Sequence, residues 1–147
     1  MLLWRFETYV SPSGRQDVQD TIDRYGEYDL ASFSRAVAHL AVSTKDQWNE
    51  PQAKKLKNED PLFEIRYKAD RCATRALGYF GKSGQSFVIV LICTHKQNVY
   101  KPHDAFKTAR SRAQQVDGGT AKTIPLQVDG EDFPPDEEQA VGQTRLP

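Results

Sequence analysis

Residues 62–68 read LFEIRYK, with apolar and polar side chains alternating at each step. Successive side chains of a strand point to opposite faces, so Phe63, Ile65 and Tyr67 share one face and Glu64, Arg66 and Lys68 the other. ATRALGYF (73–80) predicts a second strand, and KSGQ turns it into SFVIVLICT (86–94). This last segment is apolar on both faces and belongs inside the sheet. The opening LLWRFETYV predicts a further strand, broken by SPSG. Helical spacing follows it. Val18, Ile22 and Tyr25 stand at i, i+4 and i+7 of a short helix over 15–25, closed by Gly26. A second helix starts at an N-cap, Asp29, buries Leu30, Phe33, Val37, Leu40 and Ala41, and ends within 43–47. Trp48 and Pro51 open a loop, and THKQNVYKP reads as an exit loop. Beyond Pro102 a third helix carries the stripe Phe106, Ala109 and Ala113. The order β-α-α-β-β-β-α with short links predicts an α+β fold: an antiparallel sheet of about four strands, helices on one face, two N-terminal and one C-terminal.

After Val116 the pattern dissolves into turn formers and acids, so residues 1–116 read as one domain and 117–147 as an acidic tail, flexible or partly docked. A chain of 147 residues with 38% hydrophobic and 27% charged positions has the composition of a folded globular domain. Its longest apolar run, FVIVLIC, is too short to span a bilayer, and no secretory leader is visible, so a cytoplasmic location is expected. Cys72 and Cys93 lack metal-ligand spacing and read as reduced thiols.

Zero net charge conceals an uneven distribution. Residues 1–53 carry five Lys/Arg against eight Asp/Glu, residues 54–116 thirteen against five, and residues 117–147 two against seven. The central segment is therefore the part suited to an anionic partner, although charge runs also serve simply to solvate a face. Arg66 is its sharpest feature. A mid-strand cation requires solvent, a salt bridge or a bound anion, and Glu64 on the same face is the obvious bridge. That pair leaves unexplained the basic loops at Lys54–Lys57 and Lys68–Arg71, Arg75 on the next strand, and His95 and Lys96 after the third. Hairpin pairing predicts their convergence on a basic hollow for a phosphodiester backbone. Tyr100 in the polar exit loop is the candidate for stacking on a base, whereas Tyr67 belongs to the core.

No carboxylate pair, Ser/His/Asp set, phosphate-cradling glycine loop or metal constellation stands out. Cations, His and hydroxyls suit one reaction: RNA cleavage without metal, in which the 2′-OH attacks the adjacent phosphate. Cations then stabilise the phosphorane oxygens and His95 moves a proton. His39 and His103 read as structural.

The segments KKLKNEDPLFEIR, RCATRALGYF and FVIVLICTHKQNVYKPHDAFKTARSRAQQ, in that order, resemble the RelE/ParE superfamily of toxins from type II toxin–antitoxin systems. The closest resemblance is to its phage-derived, HigB-like branch. There a Lys-containing loop precedes a Leu-Tyr/Trp-Glu-Leu-Arg strand, an Arg-initiated aromatic strand, a hydrophobic strand, a Lys-rich exit loop with Pro, and a helix with Ala-x-x-Arg. Residues 62–66, 75–80, Lys96, Pro102 and 109–112 fill those places, and the likeness spans residues 1–116. It implies a RelE-like fold and a metal-independent mRNA endoribonuclease, ribosome-associated and without cofactor. A small helix-turn-helix antitoxin would cover its sheet face. Arg66 and Arg75 are implied as phosphate-binding and Lys54, Lys57 and Lys96 as further cations, with Arg71 an additional contact. His95, read from its own chemistry and in a different place from the branch's residue, joins Arg66, Arg75 and Lys96 in the catalytic set. Lys54, Lys57, Lys68, Arg71, Tyr100 and Lys101 would bind RNA. Two departures stand out: Gln97 follows Lys96 where the branch pairs lysines, and Ile92, Cys93 and Thr94 replace a common His or Phe. ParE-like inhibition of DNA gyrase and non-catalytic RNA binding by a phage accessory protein remain alternatives. The tail's seven acids are either a solubilising extension or a cover for the basic face.

Overall fold

The computed structural model describes residues 1–136. In chain order, β1 (Arg5–Val10) leads to α1 (Asp17–Asp23) and α2 (Glu27–Ala41), then a single 3-10 turn (Lys45–Gln47). β2 (Ala53–Lys55), β3 (Phe63–Ala69), β4 (Cys72–Phe80), β5 (Ser86–Lys96) and β6 (Val99–Lys101) precede α3 (Ala105–Asp117). β7 (Lys122–Pro125), β8 (Gln127–Val128) and β9 (Glu131–Asp132) follow. The fold is α+β, but the main sheet has seven strands rather than about four, in the order β2-β3-β4-β5-β1-β7 with β6 also on β5.

The central meander follows the sequence pattern. β3 and β4 pair antiparallel through a turn in which Asp70 and Arg71 both take left-handed φ, 50° and 58°, as a two-residue hairpin requires. β4 and β5 pair across a register shift after Leu77. Here Gly78 is needed, because a Cβ on it would lie 2.3 Å from the Val88 carbonyl oxygen and 2.5 Å from the Phe87 ring. β1 runs parallel to β5, so the sheet is mixed and not purely antiparallel.

Three expectations need correction. The exit loop is a strand: β5 continues to Lys96 and turns through Gln97 and Asn98, both at positive φ, into β6. The tail is not free from residue 117, since β7 pairs with β1, and Leu126, wholly buried, donates its N–H to the Phe6 carbonyl. Residues 137–147 lie outside the described residues. The helices also do not share one face. Tyr67 packs its ring on Phe33 of α2, whereas Tyr79, on the other face by alternation, donates its hydroxyl to Asp117 of α3.

Trp48 anchors the α2 side, in ring contact with Phe6, Phe63, Phe80 and Phe87 and donating its indole N–H to the Leu40 carbonyl. Gly26, not Asp29, caps α2, and Asp29 instead accepts from the Asp70 backbone N–H at 3.1 Å. On the α3 side, Arg112 donates to the Val90 carbonyl at 2.8 Å, pairs with Asp17 at 3.1 Å and lies over the Tyr9 ring. That arginine is consumed by packing. No helix among the described residues is long and apolar enough to cross a membrane.

Candidate functional site

Strand register creates the site. Arg66 and Arg75 are directly opposed across β3 and β4, and Arg75 is opposed to Cys93 on β5. Lys54 is the partner of Glu64, and Tyr100 of His95. Alternation therefore gives Lys54, Glu64, Arg66, Arg75, His95 and Tyr100 a common face, the one that carries α3.

Glu64 is the hub. Its side chain is 0% exposed, and Oε2 lies 2.7 Å from Arg66 Nε and 3.2 Å from Arg75 Nε. Its Oε1 accepts a hydrogen bond from the Tyr100 hydroxyl. A buried carboxylate is tolerable only with such compensation, and two guanidiniums and a phenol supply it. The bridge weighed in the sequence as an explanation for Arg66 is thus real, and it clamps Arg75 as well. Both arginines still reach solvent, with side chains 23% and 12% exposed.

Around Arg66, burial opposes the charge, but the hydrogen bond and charge of Glu64, reinforced by Glu50, raise the guanidinium's pKa above its ordinary value. Burial, then the bond to Glu64, raises that of the Tyr100 phenol. Tyr67 and Tyr79 are also raised, chiefly by burial. A raised phenol pKa means that the folded state holds its proton more tightly than the unfolded chain does. Stability from these three groups is complete below about pH 10, the unfolded value, and is lost as pH climbs above it. The thermal midpoint is expected to fall as pH rises above about 10, and Tyr79→Phe should flatten that fall. Burial pushes the Cys93 thiol up to about 12, and Cys93 donates to the Arg75 carbonyl.

Tyr100 is not a base-stacking platform. Its ring packs on His95, centroids 4.3 Å apart, and on Phe106, 4.6 Å apart, while its hydroxyl holds Glu64. It positions the cluster instead. His95 Nδ1 lies 3.4 Å from Arg75 Nη2. A guanidinium has only donors, so Nδ1 accepts, and a neutral ring carries its proton on Nε2.

The remaining candidates disperse. Lys68 extends the Arg66 face and is exposed, with Arg71 in the adjacent turn. Lys57 belongs to the loop at the other end of β3, about 20 Å away at the usual strand rise. Lys96 and Lys101, the latter the register partner of Thr94, alternate onto the opposite face from His95. The described part of the acidic tail lies at the β7 edge, remote from β2 and β3, and does not cover the arginines. Among the described residues no group of three or more His, Cys, Asp or Glu could hold a metal ion.

Sequence reasoning missed the depth of Glu64, because nothing local announces that α3 descends on the polar face. It also missed Glu50, whose exposed carboxylate lies 3.2 Å from Arg66 Nη1 and 3.8 Å from Lys54 Nζ.

Neither the family models, nor the curated proteins, nor the solved structures yield a relative of this chain.

Proposed function

We propose that this protein is a RelE-like toxin of a type II toxin–antitoxin pair: a metal-independent endoribonuclease that cuts mRNA on the ribosome and is silenced by an antitoxin. The observation that carries the reading is the opposition of Arg66 and Arg75 on one solvent-reaching face, fixed from behind by a single buried carboxylate. Two guanidiniums at adjacent strand positions, already oriented, suit the charge that grows on a phosphorane. The resemblance of residues 1–116 to the HigB-like branch supplies the rest of the reading.

Each residue then has a task. Arg66 and Arg75 donate to the non-bridging oxygens, Lys54 and Lys68 hold the flanking backbone, and the His95 Nε2–H hydrogen-bonds the leaving oxygen while keeping its proton. Glu64 and Tyr100 orient the others. The 2′-oxygen bonds to phosphorus as the bond to the 5′-oxygen breaks, while water takes the 2′-OH proton and returns one to the 5′-oxygen, leaving a 2′,3′-cyclic phosphate and a 5′-hydroxyl.

One observation favours RNA binding without cleavage as a second reading: no group in the cluster stands ready to take the 2′-OH proton. Glu64 is buried, accepting from Arg66 and Tyr100 and paired with the Arg75 charge, Tyr100 is a phenol of raised pKa, and His95 accepts from Arg75. On the ribosome the base would then come from elsewhere.

The test is mRNA on translating ribosomes, with product ends analysed. Wild type is expected to leave cyclic-phosphate ends, and Arg66→Ala and Arg75→Ala each to slow cleavage by 100-fold or more, roughly the loss when one charge-stabilising donor is removed. Arg75→Lys, folded by circular dichroism, keeps the charge but not the fork. Intact mRNA with RNA bound selects the second reading, and intact mRNA with gyrase inhibited selects a ParE-like target.

A further inference from the structure

Two carboxylates meet Arg66, and they differ in kind. Glu64 is wholly buried and grips Nε at 2.7 Å, whereas Glu50 is 60% exposed and touches Nη1 at 3.2 Å. The same Glu50 oxygen lies 3.8 Å from Lys54 Nζ. Lys54 and Glu64 are register partners, so Lys54 stands beside the clamp that fixes the guanidinium. The loop that carries Glu50 is tied down beside this arginine: the Gln52 carbonyl accepts from the Arg66 backbone N–H at 2.8 Å, and the Asn49 carbonyl from Ala53 at 3.0 Å.

We infer that Arg66 Nη1 and Lys54 Nζ form a seat for one phosphodiester oxygen, which Glu50 fills in the free protein. The proposal rests on the nucleic-acid reading above and adds its first phosphate site and a built-in competitor. The chemistry supports an exchange. Carboxylate and phosphate oxygens both accept from a planar guanidinium, and an ammonium serves either as a point charge. Exposed pairs of the Glu50 kind contribute little, so a polyanion with several contacts displaces them easily. The buried pair behind does not exchange, and Arg66 stays oriented while its outer partner changes. Lys54 and Arg66 also surrender fewer counterions on binding while Glu50 already neutralises them.

The probe is a fluorescent single-stranded RNA with every 2′-OH methylated, which has no nucleophile and cannot be cut. Against the full chain, Glu50→Gln is expected to bind about threefold tighter than wild type, with affinity falling more steeply as salt rises. Glu131→Gln removes an equally exposed acid at the far edge of the chain's described part and should change affinity less. In a Lys54→Gln background the gain from Glu50→Gln should shrink, because half the seat is gone. Unchanged or weaker binding by Glu50→Gln overturns the seat, as does an equal gain from Glu131→Gln. If Glu50→Gln tightens binding while mRNA stays uncut, the seat stands and the nuclease reading falls. If mRNA is cut and Glu50→Gln has no effect, only the seat falls.

Discussion

Glu64→Gln is expected to lower the unfolding free energy by about 3 kcal/mol, at the lower end of what breaking a buried ion pair costs. The substitution keeps the volume and one carbonyl oxygen, so packing changes little. What is lost is the negative charge shared by Arg66 Nε and Arg75 Nε, while the amide oxygen can still face the arginines and its N–H the Tyr100 hydroxyl, which then accepts. Urea unfolding measures this directly, and a midpoint equal to wild type would show that the carboxylate is not the clamp. A companion variant separates stability from function. Replacing Glu64, Arg66 and Arg75 together by Leu, Met and Met removes every buried charge at once, and such exchanges are often neutral or stabilising. The triple variant should therefore unfold later than Glu64→Gln and yet bind no RNA. A cluster kept only for stability would show no such division.

Gly78→Ala should cost about 3 kcal/mol of stability, at the top of the usual range for overpacking. The added methyl would stand 2.3 Å from the Val88 carbonyl oxygen and 2.5 Å from the Phe87 ring. The ring can move only into Phe6, Trp48 and Phe80, and the carbonyl is held in the β4–β5 ladder. Adding Phe87→Ala relieves the ring contact but not the carbonyl, so the double variant should regain none of the loss, and the new cavity should deepen it. A Gly78→Ala protein as stable as wild type would mean that the register shift after Leu77 lies elsewhere. The same strand pair carries Arg75 and Cys93, so the expected loss of fold is also a loss of site geometry.

The central strands were legible because their signals are local. Period-2 alternation placed Glu64, Arg66 and Lys68 on one face, and short turns made β3, β4 and β5 an antiparallel meander. The opposition of Arg66 and Arg75 follows from a two-residue turn at Asp70 and Arg71. Helical stripes likewise revealed α2 and α3, to within a few residues at their ends. What escaped was non-local or too short. The parallel pairing of β1 with β5 joins segments some eighty residues apart, and no local pattern encodes it. β6 is three residues on a polar edge, although the Gln97–Asn98 turn carries a hairpin signal in its asparagine. β7 hides in an acidic stretch because KTIP is too short to show a period.

At the site, alternation found the face but not its depth. A carboxylate between Phe63 and Ile65 looks solvated until Tyr100, backed by Phe106 of α3, closes over it. Tyr100 read as an exposed platform because its two ring neighbours, His95 and Phe106, lie five and six residues away on different elements. Lys96 was drawn in by the exit-loop resemblance and Lys101 by its charge, and once the exit loop is a hairpin, alternation sends both away from His95.

The account depends on Arg66 and Arg75 both offering their outer N–H groups to a phosphate. Nitrogen-resolved NMR of the arginine Nη–H groups during titration with the 2′-methylated RNA reads this most directly. The account predicts that the Arg66 and Arg75 resonances shift together and saturate at one RNA concentration, while Arg112, spent on Val90 and Asp17, stays still. RNA that binds without moving either resonance, or moves only cations remote from Glu64, would contradict it.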